Sequence, residues 1–269
     1  MITADLVLAT RPPPHRDGTT GPGLATFVVE VPAYVWMELL THKRLARNAS
    51  SARAQSHQRH AAMGYYVPAQ WYRQGSWMSP GDPLPYHENS DVIALVEAYY
   101  ENCERWIELI IDASDGGIAK EQINRLMPIS RMMRGVVTAT ESAWRAVLAL
   151  RDHPSADVAM QALAQQIRGR IETAEWQTAT RHVPFTDDGD MMTAAARIAR
   201  VSTGAPGPGQ RSDAQLAQDL IDQRHWSPFE HCATWIFNPK RSALYSADDD
   251  DHHGFGWENH RVTLERMTH

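Results

Sequence analysis

Cysteine is scarce: the 269-residue chain has 2, Cys103 and Cys232. That excludes a disulfide-stapled fold and a four-thiolate metal site, so no metal centre is expected. It suits a reducing cytoplasm with both thiols as small apolar residues. No apolar run approaches the roughly 20 residues of a membrane-spanning helix. The opening MITADLVLATRPPPHRDG lacks the basic region and long apolar stretch of a secretory leader. A Walker loop, a GxGxxG fingerprint and a CxxC pair are also missing. A formal charge of −6 argues against a broad footprint on duplex nucleic acid. With 43% hydrophobic residues the chain is too apolar to stay disordered. Plentiful instead are 13 histidines and 9 tryptophans, many beside arginines, which suit anionic, ring-bearing ligands.

Along the chain, PPP at 12–14 and GTTGPG at 18–23 make residues 1–24 read as a loop segment. ATFVVEV reads as a strand ending at Pro32. AYVWMELLTHKRLAR then reads as a helix that puts Glu38, Thr41 and His42 on one face and fails near Asn48. Residues 64–90 are rich in Pro, Gly, Trp and Tyr without a period, an ordered loop or lid. Residues 91–112 carry apolar side chains at helical spacing and end at Asp115, Gly116 and Gly117. IAKEQINRLM reads as helix, VVTATESAWRAVLALR as a β-branched start continuing helically to Arg151, and VAMQALAQQI as helix again. TGAPGPGQRSD at 203–213 is the most linker-like stretch, followed by the helix AQLAQDLIDQRH. These elements predict an α+β fold with one domain over 25–244 and an acidic tail over 245–269.

Three segments carry candidate chemistry. THKRLARNASSARA (41–54) sets His42, Lys43, Arg44, Arg47 and Arg53 among Asn48, Ser50 and Ser51. Such donors suit a phosphate or pyrophosphate, and equally a solvated basic helix end. No GxSxG elbow surrounds the serines, which argues against a nucleophile. Arg151 lies seven, four and three residues beyond Trp144, Val147 and Leu148, on a core-facing stripe. A buried arginine must be paired or face a polar cavity, because an uncompensated buried charge is costly. HWSPFEH (225–231) holds two histidines six apart, poor spacing for zinc, while Ser227 with Glu230 three later reads as a helix-capping box.

Together these segments resemble the flavin-dependent thymidylate synthases. That family carries a signature of the form RHRxxSxNExSxR after a strand, a proline and a glutamine. FVVEVPAYVWMELLTHKRLARNASSAR keeps the strand, proline and spacing: His42, Asn48, Ser51 and Arg53 fall on signature positions, with Lys43 at the second arginine. Pro128 and the LALR ending at Arg151 match the family's C-terminal half. ARVS (199–202) and HWSPFEH resemble its N-terminal flavin-contacting segments. The family runs ARVS and SPFEH, then signature, then Leu-Arg helix; here the first two come last. The resemblance is therefore to a circularly permuted member, of a kind associated with phage-encoded relatives and hence with an infected bacterial cytoplasm.

The resemblance implies a thymidylate synthase-like fold with a mainly antiparallel central sheet. It implies methylation at C5 of a pyrimidine deoxynucleotide monophosphate, dUMP or dCMP, using FAD, with methylenetetrahydrofolate and NADPH as co-substrates. Arg151 would stabilise charge on the pyrimidine; Glu38, Ser50, Ser51, Arg53, Asn124 and Arg125 would contact the nucleotide. Thr41, His42, Lys43, Arg44, Asn48, Thr140, Ser142, Ser202, His225, Ser227 and Glu230 would line the FAD site. The family's sites form between subunits, which implies a homotetramer. Departures are Thr41 for the first signature arginine, Ala49 for its glutamate, Ala54 for an aromatic and Glu38 for the glutamine. Asn124 replaces a phosphate-facing arginine, with Arg125 adjacent, and Thr140, Ser142 and Ala146 replace flavin-holding polar residues. Hydroxymethylation, and a non-catalytic partner subunit without flavin, are the alternatives. A carboxylate at Glu38 either pairs with Lys43 or Arg44 or accepts from a cytosine amine. GWENHR (256–261) is a candidate to return an aromatic and an arginine to the site.

Overall fold

A computed structural model describes residues 1–14, 18, 20–49, 55–68, 70–76, 80–85, 89–203, 211–237, 255–261 and 264. The chain starts with a strand, β1 (Thr3–Arg11), which corrects the expected loop over 1–24. Its side chains alternate weakly, and the strand exists because it pairs antiparallel with β2 (Leu24–Pro32). After Pro32 comes α1 (Ala33–Leu39), then β3 (Ala46–Ala49) and α2 (His57–Met63). Within the aromatic region, β4 (Trp71–Gln74) and β5 (Pro80–Leu84) pair as a hairpin. The long helix α3 (Ser90–Asp115) and the short α4 (Lys120–Ile123) precede β6 (Met132–Thr140), α5 (Glu141–Arg151) and α6 (Val158–Glu172).

The last third adds β7 (Gln177–Thr178), β8 (Arg181–His182), α7 (Met191–Thr203) and α8 (Asp213–Asp222). A 3-10 turn (Ser227–His231) leads to β9 (Ala233–Phe237) and β10 (Phe255–Asn259). The central sheet has the order β3-β6-β2-β1-β7, antiparallel except where β7 joins β1. A smaller sheet runs β10-β9-β8. Residues 255–259, inside the expected tail over 245–269, are a paired strand with Trp257 fully buried. The acidic run 248–251 and the linker stretch 204–210 lie outside the described residues.

The pleat divides the core. Ala25, Phe27, Val29 and Val31 of β2 point with Val137 and Ala139 of β6 toward α5 and α6. There Phe27 meets Trp144 edge-on, ring centroids 5.3 Å apart. The opposite face carries Val28 and Val136 against Ala194 and Ile198 of α7. Each fully buried side chain of this size contributes about 1.5–3 kcal/mol relative to exposure. Close approach also matters: a Cβ on Gly135 of β6 would stand 2.6 Å from the Trp36 ring of α1. Glycine is therefore what lets α1 lie against the sheet.

On the α7 side a row of buried polar groups crosses the sheet. Thr10 bonds His182 Nδ1 at 2.7 Å, His182 Nε2 bonds Thr26 at 2.7 Å, and Thr26 bonds Thr138 at 2.6 Å. Thr138 then meets His231 Nδ1 at 2.8 Å. Burial holds both imidazoles neutral, pushing each pKa down to about 3, with His231 adding to the effect on His182. His231 Nε2 has no partner among the described residues.

Candidate functional site

The signature segment departs from its expected shape. α1 ends at Leu39, so Thr41 and His42 stand on turns beyond it rather than sharing its face with Glu38. Thr41 closes the helix itself: its hydroxyl and its N–H both donate to the Glu38 carbonyl, at 2.7 and 3.0 Å. Arg47 fixes the following loop, its guanidinium donating to the Leu39 carbonyl at 2.8 Å. Lys43 and Arg44 are exposed there.

That turn brings His42 to Arg151. Arg151 Nε donates to His42 Nε2 at 3.0 Å, although the residues are 109 apart in sequence. Its terminal nitrogen is ion-paired with Glu38. The pairing expected of Glu38 with Lys43 or Arg44 is thus corrected: α5 ends against α1, so the arginine at that end is the partner. Arg151 and Glu38 keep 23% and 25% side-chain exposure, enough for a ligand to reach both. Because His42 Nε2 accepts, the imidazole carries its proton on Nδ1 and is neutral. Burial, then the charges of Arg151 and Arg47, lower its pKa and keep it so.

The C-terminal segments come back to the same strand. Asn48 of β3 donates from Nδ2 to the Ile198 carbonyl at 3.3 Å and accepts from the Ser227 hydroxyl at 3.0 Å. The expected capping box is corrected on this point: Ser227 is spent on Asn48, and Glu230 is ion-paired with Arg261. Arg261 does return to a site segment, whereas Trp257 is buried against Trp235, with centroids 5.3 Å apart. In ARVS, Arg200 is ion-paired with Asp213 and ties α7 to α8. His225 is exposed on the turn after α8.

Other expected residues stand apart. Thr140 is buried and caps α5, accepting from the Ala143 N–H at 3.2 Å and meeting the Ser142 hydroxyl at 3.0 Å. The pair lies about 16 Å from Arg151, the length of the helix between them. Asn124 bonds His57 Nε2 at 2.7 Å, and Arg125 is exposed beside it. Ser50, Ser51 and Arg53 lie outside the described residues, as does the side chain of Ser202.

Sequence reasoning missed His57, His60 and Arg131. His57 and His60 are 1% and 2% exposed, and neither His60 nitrogen has a partner among the described residues. Burial first, then Arg131 and His57, push the His60 pKa down to about 4. The signal available was their place directly after the signature, in QSHQRH. Both cysteines are buried and free, and burial pushes the Cys232 thiol up to about 12. Among the described residues no group of three or more His, Cys, Asp or Glu could hold a metal ion, and no helix is long and apolar enough to cross a membrane.

A model of the family described as thymidylate synthase complementing protein matches residues 23–174, from the end of the first loop to just past α6. The fold resembles crystal structures of the UMP/dUMP methylase PolB from Streptomyces cacaoi. Against the form bound with 5-Br dUMP the TM-score is 0.51 at 18% identity, covering 64% of this chain and 90% of that one. Against the form bound with 5-Br UMP it is 0.52 at 19% identity, covering 76% and 93%. No curated protein matches the chain in sequence.

Proposed function

This chain belongs to the thymidylate synthase complementing protein family, and we propose that it transfers a one-carbon unit to C5 of a pyrimidine deoxynucleotide monophosphate. The observation that carries the reading is Arg151, held at the end of α5 by Glu38 and His42 from the signature segment. A guanidinium fixed on two sides is preorganised to stabilise negative charge developing on a ring, with little reorganisation during reaction. His42, neutral and accepting, orients it. Neither thiol serves as nucleophile, since burial raises both pKa values.

The donor set fits FAD at one place. Lys43 and Arg44 stand exposed beside the neutral His42 after α1, and their cationic donors at a turn suit a pyrophosphate. Asn48 follows that turn on β3 and is bonded to Ser227, and we assign these five residues to the flavin. Glu230 and Thr140 are engaged internally and serve the site through Arg261 and α5. Reduced FAD supplies the hydride when bound; methylenetetrahydrofolate supplies the carbon and NADPH the reducing equivalents. Ser50, Ser51, Arg53 and Arg125 hold the nucleotide phosphate, and a homotetramer, measurable by light scattering, completes the assembly.

The Glu38–Arg151 pair favours a cytosine substrate. Glu38 accepts hydrogen bonds and Arg151 donates them. With Glu38 at the C4 substituent, cytosine's amine donates to it, whereas uracil's O4 would meet it acceptor to acceptor. The test incubates purified protein with FAD, methylenetetrahydrofolate, NADPH and either dCMP or dUMP, and weighs the nucleotide product. A gain of CH2 marks methylation and a gain of CH2O marks hydroxymethylation. Glu38→Gln is expected to shift the dCMP:dUMP ratio of kcat/KM toward dUMP by about tenfold or more. A wild-type preference for dUMP overturns the cytosine assignment. Colourless protein that ignores FAD and modifies neither nucleotide overturns the enzymic reading in favour of a partner subunit.

A further inference from the structure

Helix α3 carries two apolar stripes, and the fold covers one of them. Val92, Val96, Cys103, Ile107 and Ile110 are buried. The second stripe is Leu95, Tyr99, Asn102, Trp106 and Leu109, recurring at steps of four, three, four and three residues. That is the heptad spacing of a seam between paired helices, and it stands about a quarter-turn from the buried stripe. It faces solvent: Leu95, Trp106 and Leu109 are 58%, 43% and 52% exposed. Leu126 and Ile129, before β6, are exposed as well. Trp106 is held in place there, its indole N–H donating to the Leu126 carbonyl at 2.5 Å. Apolar side chains gathered at the surface in this way mark an interaction face.

The stripe is complementary to itself. Leu95 and Leu109 stand seven residues on either side of Asn102, and Tyr99 and Trp106 stand three and four away. A two-fold axis through Asn102 therefore lays Leu109 of one helix on Leu95 of the other, at both ends, as an isologous contact requires. Shape agrees with this. A hollow of about 520 Å3 lies at the Leu95 end, where Leu95, Tyr99 and Ile129 are among the described residues that wall it, while Trp106 and Leu109 project at the other end. Charge agrees too. Arg105 is the only basic residue of α3, exposed with Glu101 on the solvent flank of the stripe. In an antiparallel pair like flanks meet, so each Arg105 comes within a helical turn of the other copy's Glu101. Asn102 donates one Nδ2 hydrogen to the Ala98 carbonyl at 2.6 Å. An amide has a second hydrogen and an acceptor oxygen to offer its counterpart, and one polar residue in such a seam sets the register.

We propose that α3 pairs antiparallel with α3 of a second copy of this chain, in register about Asn102. The contact needs only a dimer, so it stands apart from the reaction and from the other interfaces of the tetramer proposed above.

The test weighs the purified full-length chain by light scattering and sedimentation. Wild type is expected to be a dimer, or a multiple of one, at micromolar concentration. Leu109→Glu sets a carboxylate against Leu95 at both ends, and should raise the dissociation constant about 100-fold or more and halve the mass of the particle. Its melting temperature should stay near that of wild type, because Leu109 is exposed in the single chain. Arg105→Glu should also weaken the pair, and adding Glu101→Arg should restore it, which a folding defect would not do. Asn102→Cys, on the axis, should join two chains through a short bismaleimide, since both native thiols are buried. Glu104→Cys, on the far face of the helix, should not. A monomeric wild type overturns the pairing and the tetramer together, and leaves the stripe to a different partner. An oligomer whose mass ignores Leu109→Glu, with Asn102→Cys failing to cross-link, overturns the pairing alone and leaves the tetramer standing on other faces.

Discussion

Arg151 joins two demands that usually conflict. A charge on an apolar helix stripe needs partners, yet a residue that acts on a ligand must keep part of its surface open. Glu38 and His42 meet the first demand and its remaining exposure meets the second. Arg151→Ala is therefore expected to lower kcat/KM by about 100-fold or more. The Tm should move only a few degrees, since a partly exposed pair contributes about 1 kcal/mol or less. Retained turnover in that variant would remove Arg151 from the reaction. His42 gives the pH dependence. Its pKa is lowered below the usual value of about 6.5, so it stays an acceptor through neutral pH. Protonation would set a cation against Arg151, so the acid limb of kcat/KM should lie below that usual value. In His42→Gln, where an amide oxygen can accept at any pH, that limb should vanish.

At the scale of elements, the placement of α1 decides where Glu38 stands, and Gly135 decides the placement of α1. Gly135→Ala is expected to cost about 1–3 kcal/mol by overpacking Trp36. It should also weaken turnover by displacing Glu38 and His42, which thermal melts and kinetics on one sample would show together. Legibility in the sequence follows the same geometry. β2, α3, α5 and α6 were visible because their burial repeats at the strand or helix period. The helix through Arg47 was read too long because MELL continues the helical pattern, while the stop is a Thr41 hydroxyl turned back on its own chain. β3 left no trace, since ARNA pairs only because β6 lies beside it. Arg151's need for partners was evident from its stripe; their identity was not, because nothing local in Glu38 points across 100 residues. The signature and the SPFEH segment were found by resemblance, and their meeting at Asn48 belongs to tertiary structure.

For the molecule as a whole, the buried row from Thr10 to His231 ties the two sheets and the 3-10 turn together. Its two imidazoles have folded pKa values of about 3 and His60 one of about 4, against an unfolded value of about 6.5. The folded state thus binds fewer protons than the unfolded one below that value. The stability these residues contribute is fully present above about pH 6.5 and drains away as pH falls toward 3. Thermal melts should show Tm falling by roughly 5 °C or more between pH 7 and 4, and His182→Gln should flatten part of that slope. A slope unchanged by His182→Gln would place the acid sensitivity elsewhere.

The return of α7 and the 3-10 turn to Asn48 has a consequence for biosynthesis. A ribosome releases the signature strand first, the helix that carries Arg151 next, and the groups that seat Asn48 last of the three. Until then the nascent chain can form most of its central sheet while Asn48 still lacks Ile198 and Ser227. A product cut short after α6 would keep Arg151 and lose Ile198 and Ser227, the groups that seat Asn48, and is expected to be inactive even where its sheet forms.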